Sequence, residues 1–133
     1  MAFVGNTVPN AEGVTILNLT VSTRNLADDI SVISLEGEID VYTSIQLKQD
    51  ISDILEKGVK YLVLNLSKVE YLDSTGLGVL IGTLKKLRES GGNLVIVGPA
   101  MRIMRIFEIT GLYKIFAIYA TEEEAAAKEG IAL

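Results

Sequence analysis

Tyr71-Leu72-Asp73-Ser74-Thr75-Gly76-Leu77-Gly78 joins an apolar extended run to an amphipathic helix. Upstream, Tyr61-Leu62-Val63-Leu64-Asn65-Leu66 is too short and too apolar for a surface helix, and it reads as a central strand covered on both faces. Downstream, Leu77, Leu80, Ile81, Leu84 and Leu87 share one face of a helical wheel, which predicts a helix from about Thr75 to Glu89 or Ser90, ended by Gly91-Gly92. Leu94-Val95-Ile96-Val97 is the next buried strand, closed by Gly98-Pro99. Strand, helix and strand make a βαβ unit with the right-handed crossover such units adopt.

The same reading extends outward. Val14 to Val21 alternates roughly (Val14, Ile16, Leu17, Leu19, Val21), as a strand does. Arg24 to Asp29 is a turn-forming break, and Ile30 to Leu35 is a β-branched run, so the two strands form an antiparallel hairpin. Thr43 with Gln46 forms a capping box opening a helix to about residue 57, with Ile45, Leu47, Ile51, Ile54 and Leu55 on its buried face and Gly58 as its stop. Pro99 is placed as the first residue of a third helix carrying Ile103, Ile106 and Phe107 and stopping near Gly111. Lys114 to Tyr119 is a short last strand, and Thr121 with Glu124 caps a final helix. The order ββαβαβαβα predicts one α/β domain with a mixed, mostly parallel sheet. Residues 1 to about 13 are expected to be a loose arm.

Composition narrows the chemistry. The chain of 133 residues is 49% hydrophobic, enough for one continuous core. It carries 17 acidic and 12 basic side chains, a net charge of −5. An acidic chain without a Lys/Arg cluster is a poor partner for nucleic acid or an anionic membrane. With no cysteine and no histidine, it has no disulfide, no thiol or Ser-His-Asp catalysis and no ordinary zinc site. The expected cofactor list is empty and the expected location is cytoplasmic: no secretory leader and no membrane-length apolar run stand in the sequence.

Loops after parallel strands gather at one sheet edge, where open α/β sheets meet their ligands. Asp40, then Asp73 and Ser74, then Gly98 follow successive strands and are expected there. A serine at a helix start is most often only a cap. Here it adjoins Asp73 and the unbulky Thr75-Gly76-Leu77-Gly78, and a phosphate on it would meet helix amides and the positive end of the helix dipole. That phosphate would place about −1.5 to −2 charge beside Asp73 and Asp40. Gly78, Val79, Gly82 and Lys86 fall on the outward face of the helix, where each glycine costs about 1 kcal/mol against alanine. Either a partner approaches the backbone there, or a neighbouring element of the domain packs on it. The glycine spacing fits neither a P-loop nor a dinucleotide fingerprint. Asp40 and Asp73 as paired hydrolytic acids have no cleft in view, and turn and cap chemistry accounts for Asp73.

Gly37-Glu38-Ile39-Asp40, Leu64-Asn65-Leu66, the 71–78 stretch, Gly91-Gly92 and Phe107-x-x-Thr110-Gly111-Leu112 together resemble a bacterial anti-sigma factor antagonist of the STAS domain family, over about residues 14 to 125. The resemblance implies a STAS domain over 14–133 after the 1–13 arm, and a phosphorylation switch without catalysis. The unphosphorylated protein binds an anti-sigma factor serine kinase and so releases a sigma factor, an indirect partner. Phosphorylation of Ser74 ends binding, and a PP2C-type phosphatase reverses it. Ser74 is the phosphorylation site; Asp40, Asp73, Thr75, Gly76, Gly78, Val79 and Gly82 line or flank the docking surface. No metal site, nucleic acid or membrane is implied. The same fold also serves as an interaction module in stress-sensing or transport complexes, or as a nucleotide- or lipid-binding sensor, and these readings stay open here.

Overall fold

The computed structural model describes residues 18–132 in full, and residues 2–3, 7–10 and 13–16 at the level of backbone pairing. The main sheet is built around three strands, β5 (Ile30–Ile39), β6 (Tyr61–Leu72) and β7 (Asn93–Val97), which are buried on both faces where they run side by side, at Val32-Ile33, Leu62–Leu64 and Leu94–Val97. They run parallel, joined by α1 (Thr43–Glu56) and α2 (Ser74–Glu89). β4 (Leu19–Ala27) adds antiparallel to β5, and β8 (Ala117–Tyr119) parallel to β7. Ala2–Phe3 (β1) pairs antiparallel beyond β4, giving the order β1-β4-β5-β6-β7-β8.

Helices cover both faces. On one face α1, α2 and α3 (Met101–Thr110) bury Leu47, Ile51, Leu80, Leu84, Leu87, Ile103 and Phe107 against Ile33, Leu62, Leu64 and Ile96. On the other, α4 (Glu122–Glu129) sets Ala125 and Ala126 against Val32, Val63, Val95 and Val97. The short valines and alanines allow that second layer to approach closely. Glu122 ties it further, accepting from Arg24 and from Asn65 across the sheet. Burial pushes its carboxyl up, but those donors outweigh burial and hold it below its usual value.

Several expectations need correction. Residues 7–10 (β2) and 13–16 (β3) pair as a separate hairpin, so the expected arm carries regular structure and its boundary falls inside a hairpin. The single strand expected over Val14–Val21 is two strands, β3 and β4; Leu17, between them, lies outside the described residues. β4 continues through the expected break at Arg24, because backbone pairing outweighs the turn preference of Asn25; only Asp28-Asp29 turns. Pro99 precedes α3 by two residues, since Ala100 still has extended backbone (φ −58°, ψ 158°). Lys114 belongs to a 3-10 turn, Leu112–Lys114, ahead of the shorter β8. Thr121 does cap α4, accepting from Glu124 N, but the Glu124 carboxylate accepts from Ala120 N, so the reciprocal half of the box is displaced.

β6 runs on to Leu72, well past the Leu66 end expected from its apolar run. Only Tyr61–Asn65 pairs with β7, whereas Lys68, Val69, Tyr71 and Leu72 pair with β5 alone. β5 and β6 therefore run on beyond β7, with β4 beside β5 as far as Gly37, and only Glu38-Ile39 with Tyr71-Leu72 form a two-stranded parallel ribbon at the end. Gly37 permits this: its φ of +122° and its bare Cα let Asn18 O approach, where a Cβ would lie 2.3 Å away.

Candidate functional site

Asp40 and Asp73 stand side by side at the tip of that ribbon. Ile39 is in register with Leu72, and Asp73 N donates to Ile39 O at 3.1 Å. Each aspartate leads into a helix with the same pattern of bonds, Asp73 directly and Asp40 through the Val41-Tyr42 turn that precedes α1. Asp40 Oδ1 accepts from Tyr42 N and Thr43 N, both at 2.9 Å. Asp73 Oδ1 accepts from Thr75 N at 2.9 Å and Gly76 N at 3.1 Å. Carboxylate caps satisfy the orphan amides of the first turn and oppose the positive helix end. The capping box expected of Thr43 and Gln46 is absent: Thr43 is buried, donates to Glu38 O at 2.8 Å and accepts from Asp40 N at 2.9 Å, while Gln46 donates to Asp50.

Ser74 is likewise not the cap. It is the first residue of α2, one past Asp73, and is exposed. Among the described residues nothing hydrogen-bonds its hydroxyl. Thr75, also exposed, donates its hydroxyl to Asp73 Oδ1. That bond first, and the Gly76 and Thr75 amides with it, hold the Asp73 carboxyl below its usual range. Two of the helix amides expected to meet a phosphate on Ser74, those of Thr75 and Gly76, already serve Asp73.

The glycines divide into two kinds. Gly76 is buried, and a Cβ on it would meet Leu72 Cδ1 at 2.5 Å and Ile39 Cγ2 at 2.6 Å, so it lets α2 start close against the ribbon. Gly78 and Gly82 are exposed, with nothing within 4 Å of where a Cβ would stand. Packing by a neighbouring element, the alternative left open by the wheel, therefore does not explain them. They and half-buried Val79 line a groove of about 440 Å³ between α1 and α2, with Ile51 and Leu55 opposite and Lys48 and Lys86 on its rim. Thr75 stands in the same groove, which joins it to the Ser74 edge.

Two sequence expectations about this edge fail. Gly98 does not join Asp40 and Asp73: β7 ends early, and Gly98 sits beside Ser67, far down β6. Ile45, placed on the buried face of α1, is 72% exposed. The helix begins after the Asp40 turn, so its core stripe runs through Leu47, Ile51 and Ile54 instead. Val41, Tyr42 and Tyr71 are also exposed, at the same end of the sheet. Sequence reasoning missed all of these as surface residues; the signal available was Val41-Tyr42 in a turn where polar residues are the usual choice.

A family model of the STAS domain matches residues 23–125. The chain belongs to the STAS-domain family. Among its relatives, the anti-sigma-B factor antagonist of Staphylococcus epidermidis is 42% identical over 96 residues, covering 72% of this chain and 88% of the relative. The structure is similar to that of the anti-sigma factor antagonist SpoIIAA in its unphosphorylated form, with a TM-score of 0.73 and 26% identity over 85% of this chain and 99% of that one. It is also similar to the Bacillus cell fate determinant SpoIIAA in its phosphorylated form, with a TM-score of 0.66 and 27% identity over 81% of this chain and 97% of that one. The mixed sheet with its flanking helices matches the fold of these STAS neighbours. Among the described residues no helix is long and apolar enough to cross a membrane, and no group of three or more acidic side chains is placed to hold a metal ion.

Proposed function

We propose that this STAS-domain chain is an anti-sigma factor antagonist of the partner-switching kind, with Ser74 as its phosphate acceptor. The observation that carries the reading is the exposed, unbonded hydroxyl of Ser74 beside two capping carboxylates. The partner is an anti-sigma factor serine kinase. It docks on the Ser74 edge, the Gly78–Val79–Gly82 groove and the apolar side chains of Tyr42 and Ile45; Asp40 and Asp73 set the charge of the edge. Gly76 contributes by shaping the helix start rather than by surface contact. Binding frees a sigma factor, which this chain does not itself touch, and a PP2C-type phosphatase restores the unphosphorylated form. The chain acts in the cytoplasm and catalyses nothing itself.

Phosphate at Ser74 acts through charge at the interface. Asp73 keeps its amides, so the fold loses no bond, but about −1.5 to −2 charge joins Asp40 and Asp73 at the point of docking. Docking would bury this added charge and set it against acidic groups of the kinase surface, and both oppose the complex. The test is incubation with candidate kinases of the same genome and ATP, followed by mass mapping. One phosphate on Ser74 is expected; a phosphate mapped elsewhere contradicts the assignment. In the companion variant, Ser74→Glu should weaken kinase binding with unchanged circular dichroism, and undiminished affinity would count against repulsion.

A further inference from the structure

We infer that Asp73 selects the phosphate acceptor, by holding the Thr75 hydroxyl and leaving that of Ser74 free. The inference rests on the functional reading above and extends it to a positioning residue. Two hydroxyls stand on consecutive residues of one helical turn, and both are exposed, so accessibility does not separate them. Hydrogen bonding does. Thr75 Oγ1 donates to Asp73 Oδ1 at 2.5 Å, while the Ser74 hydroxyl is unbonded among the described residues. Threonine is β-branched and stiff at χ1, so this bond fixes the direction of its oxygen. Ser74 has one small group on Cβ and turns freely.

A hydroxyl donating to a carboxylate can be activated when the carboxylate is a good base. Asp73 is not one: a single oxygen accepts from two amides and a hydroxyl, and this lowers its affinity for a proton. It holds the Thr75 proton without removing it. Its negative charge also lies against the Thr75 oxygen, where it opposes an incoming γ-phosphate. In the transfer itself, Ser74 Oγ bonds to the γ-phosphorus of ATP as the bond to the β,γ-bridging oxygen breaks. ADP leaves, and the hydroxyl proton passes to a base of the kinase. That base reaches a free hydroxyl, not one whose proton is committed to Asp73.

The test uses the full chain, its anti-sigma factor kinase and ATP, with the phosphate mapped by mass spectrometry. Wild type should be labelled on Ser74 alone, and Ser74→Ala should not be labelled on Thr75. Ser74→Ala combined with Asp73→Gly should be labelled on Thr75, at least about tenfold faster than Ser74→Ala alone, glycine being a tolerated cap. Label on Thr75 in Ser74→Ala, with Asp73 present, would overturn the inference. So would a folded, kinase-binding double variant as inert as Ser74→Ala. A second measurement needs no kinase. By proton NMR the Thr75 hydroxyl should exchange with water more slowly than that of Ser74, and should lose this protection in Asp73→Gly; equal exchange rates in wild type overturn the proposal. A wild-type chain labelled on neither residue overturns the functional reading instead, and the exchange rates still decide whether Asp73 holds Thr75.

Discussion

The two strand-to-helix junctions at the ribbon tip share one chemistry and differ in what they enclose. At both, an aspartate Oδ1 caps the helix and a threonine follows within the first turn. At the β5–α1 junction, Thr43 is buried and threads its hydroxyl between Asp40 N and Glu38 O. At the β6–α2 junction, Thr75 and Ser74 are exposed, and Gly76 leaves the place of its absent side chain to Leu72 and Ile39. The first junction is closed and offers exposed apolar side chains, Val41 and Tyr42, beyond its cap. The second is open and offers a hydroxyl. The aspartate cap is thus structural in both, and the residues around it decide whether a junction can act as a switch.

Substitutions that press on this difference should give effects of decreasing size. In α1, Leu47 is fully buried and Ile45 is 72% exposed, although they stand only two positions apart. Leu47→Ala should cost about 2–5 kcal/mol by urea denaturation. Ile45→Ala should stay within about 0.5 kcal/mol, yet weaken kinase binding measurably by calorimetry. Equal stability losses would refute the surface assignment of Ile45.

At the open junction, Gly76→Ala forces a methyl group to within 2.5 Å of Leu72. Overpacking of this kind should cost about 1–3 kcal/mol. Gly78→Ala meets nothing and should stabilise the helix by about 1 kcal/mol, while obstructing the partner's approach to the α1–α2 groove. A stabilised variant with undiminished kinase affinity would remove Gly78 from the docking surface. The smallest effect separates the two threonines. Thr43→Val takes the side-chain partner from the half-buried Asp40 amide and Glu38 carbonyl and should cost about 1–3 kcal/mol. Thr75→Val removes only an exposed bond, and by thermal unfolding should cost less than about 1 kcal/mol.

The parallel core was legible because its strands are apolar on both faces: Leu62–Leu64 and Leu94–Val97 admit few other readings. The Asp73–Gly78 stretch marked the site for a similar reason, since strand ends, caps and helix starts leave local signatures. What sequence hid was register. Whether Gly98 reaches Asp73 depends on where β7 stops pairing with β6, and pairing length leaves no mark in either strand alone. The cap is Asp73, as its turn-and-cap reading expected, and not Ser74; both residues are good caps, so local preference could not choose between the two readings. Ile45 followed the helical period closely enough to pass as core, and only the position of the Asp40 turn set it outside.

The central claim is that phosphate on Ser74 changes what the open junction binds. Calorimetric titration of the kinase into the unphosphorylated and the Ser74-phosphorylated chain tests it most directly. A dissociation constant at least about tenfold weaker for the phosphorylated form, a difference of about 1.4 kcal/mol or more, is the predicted result. Equal affinity for the two forms would contradict the account.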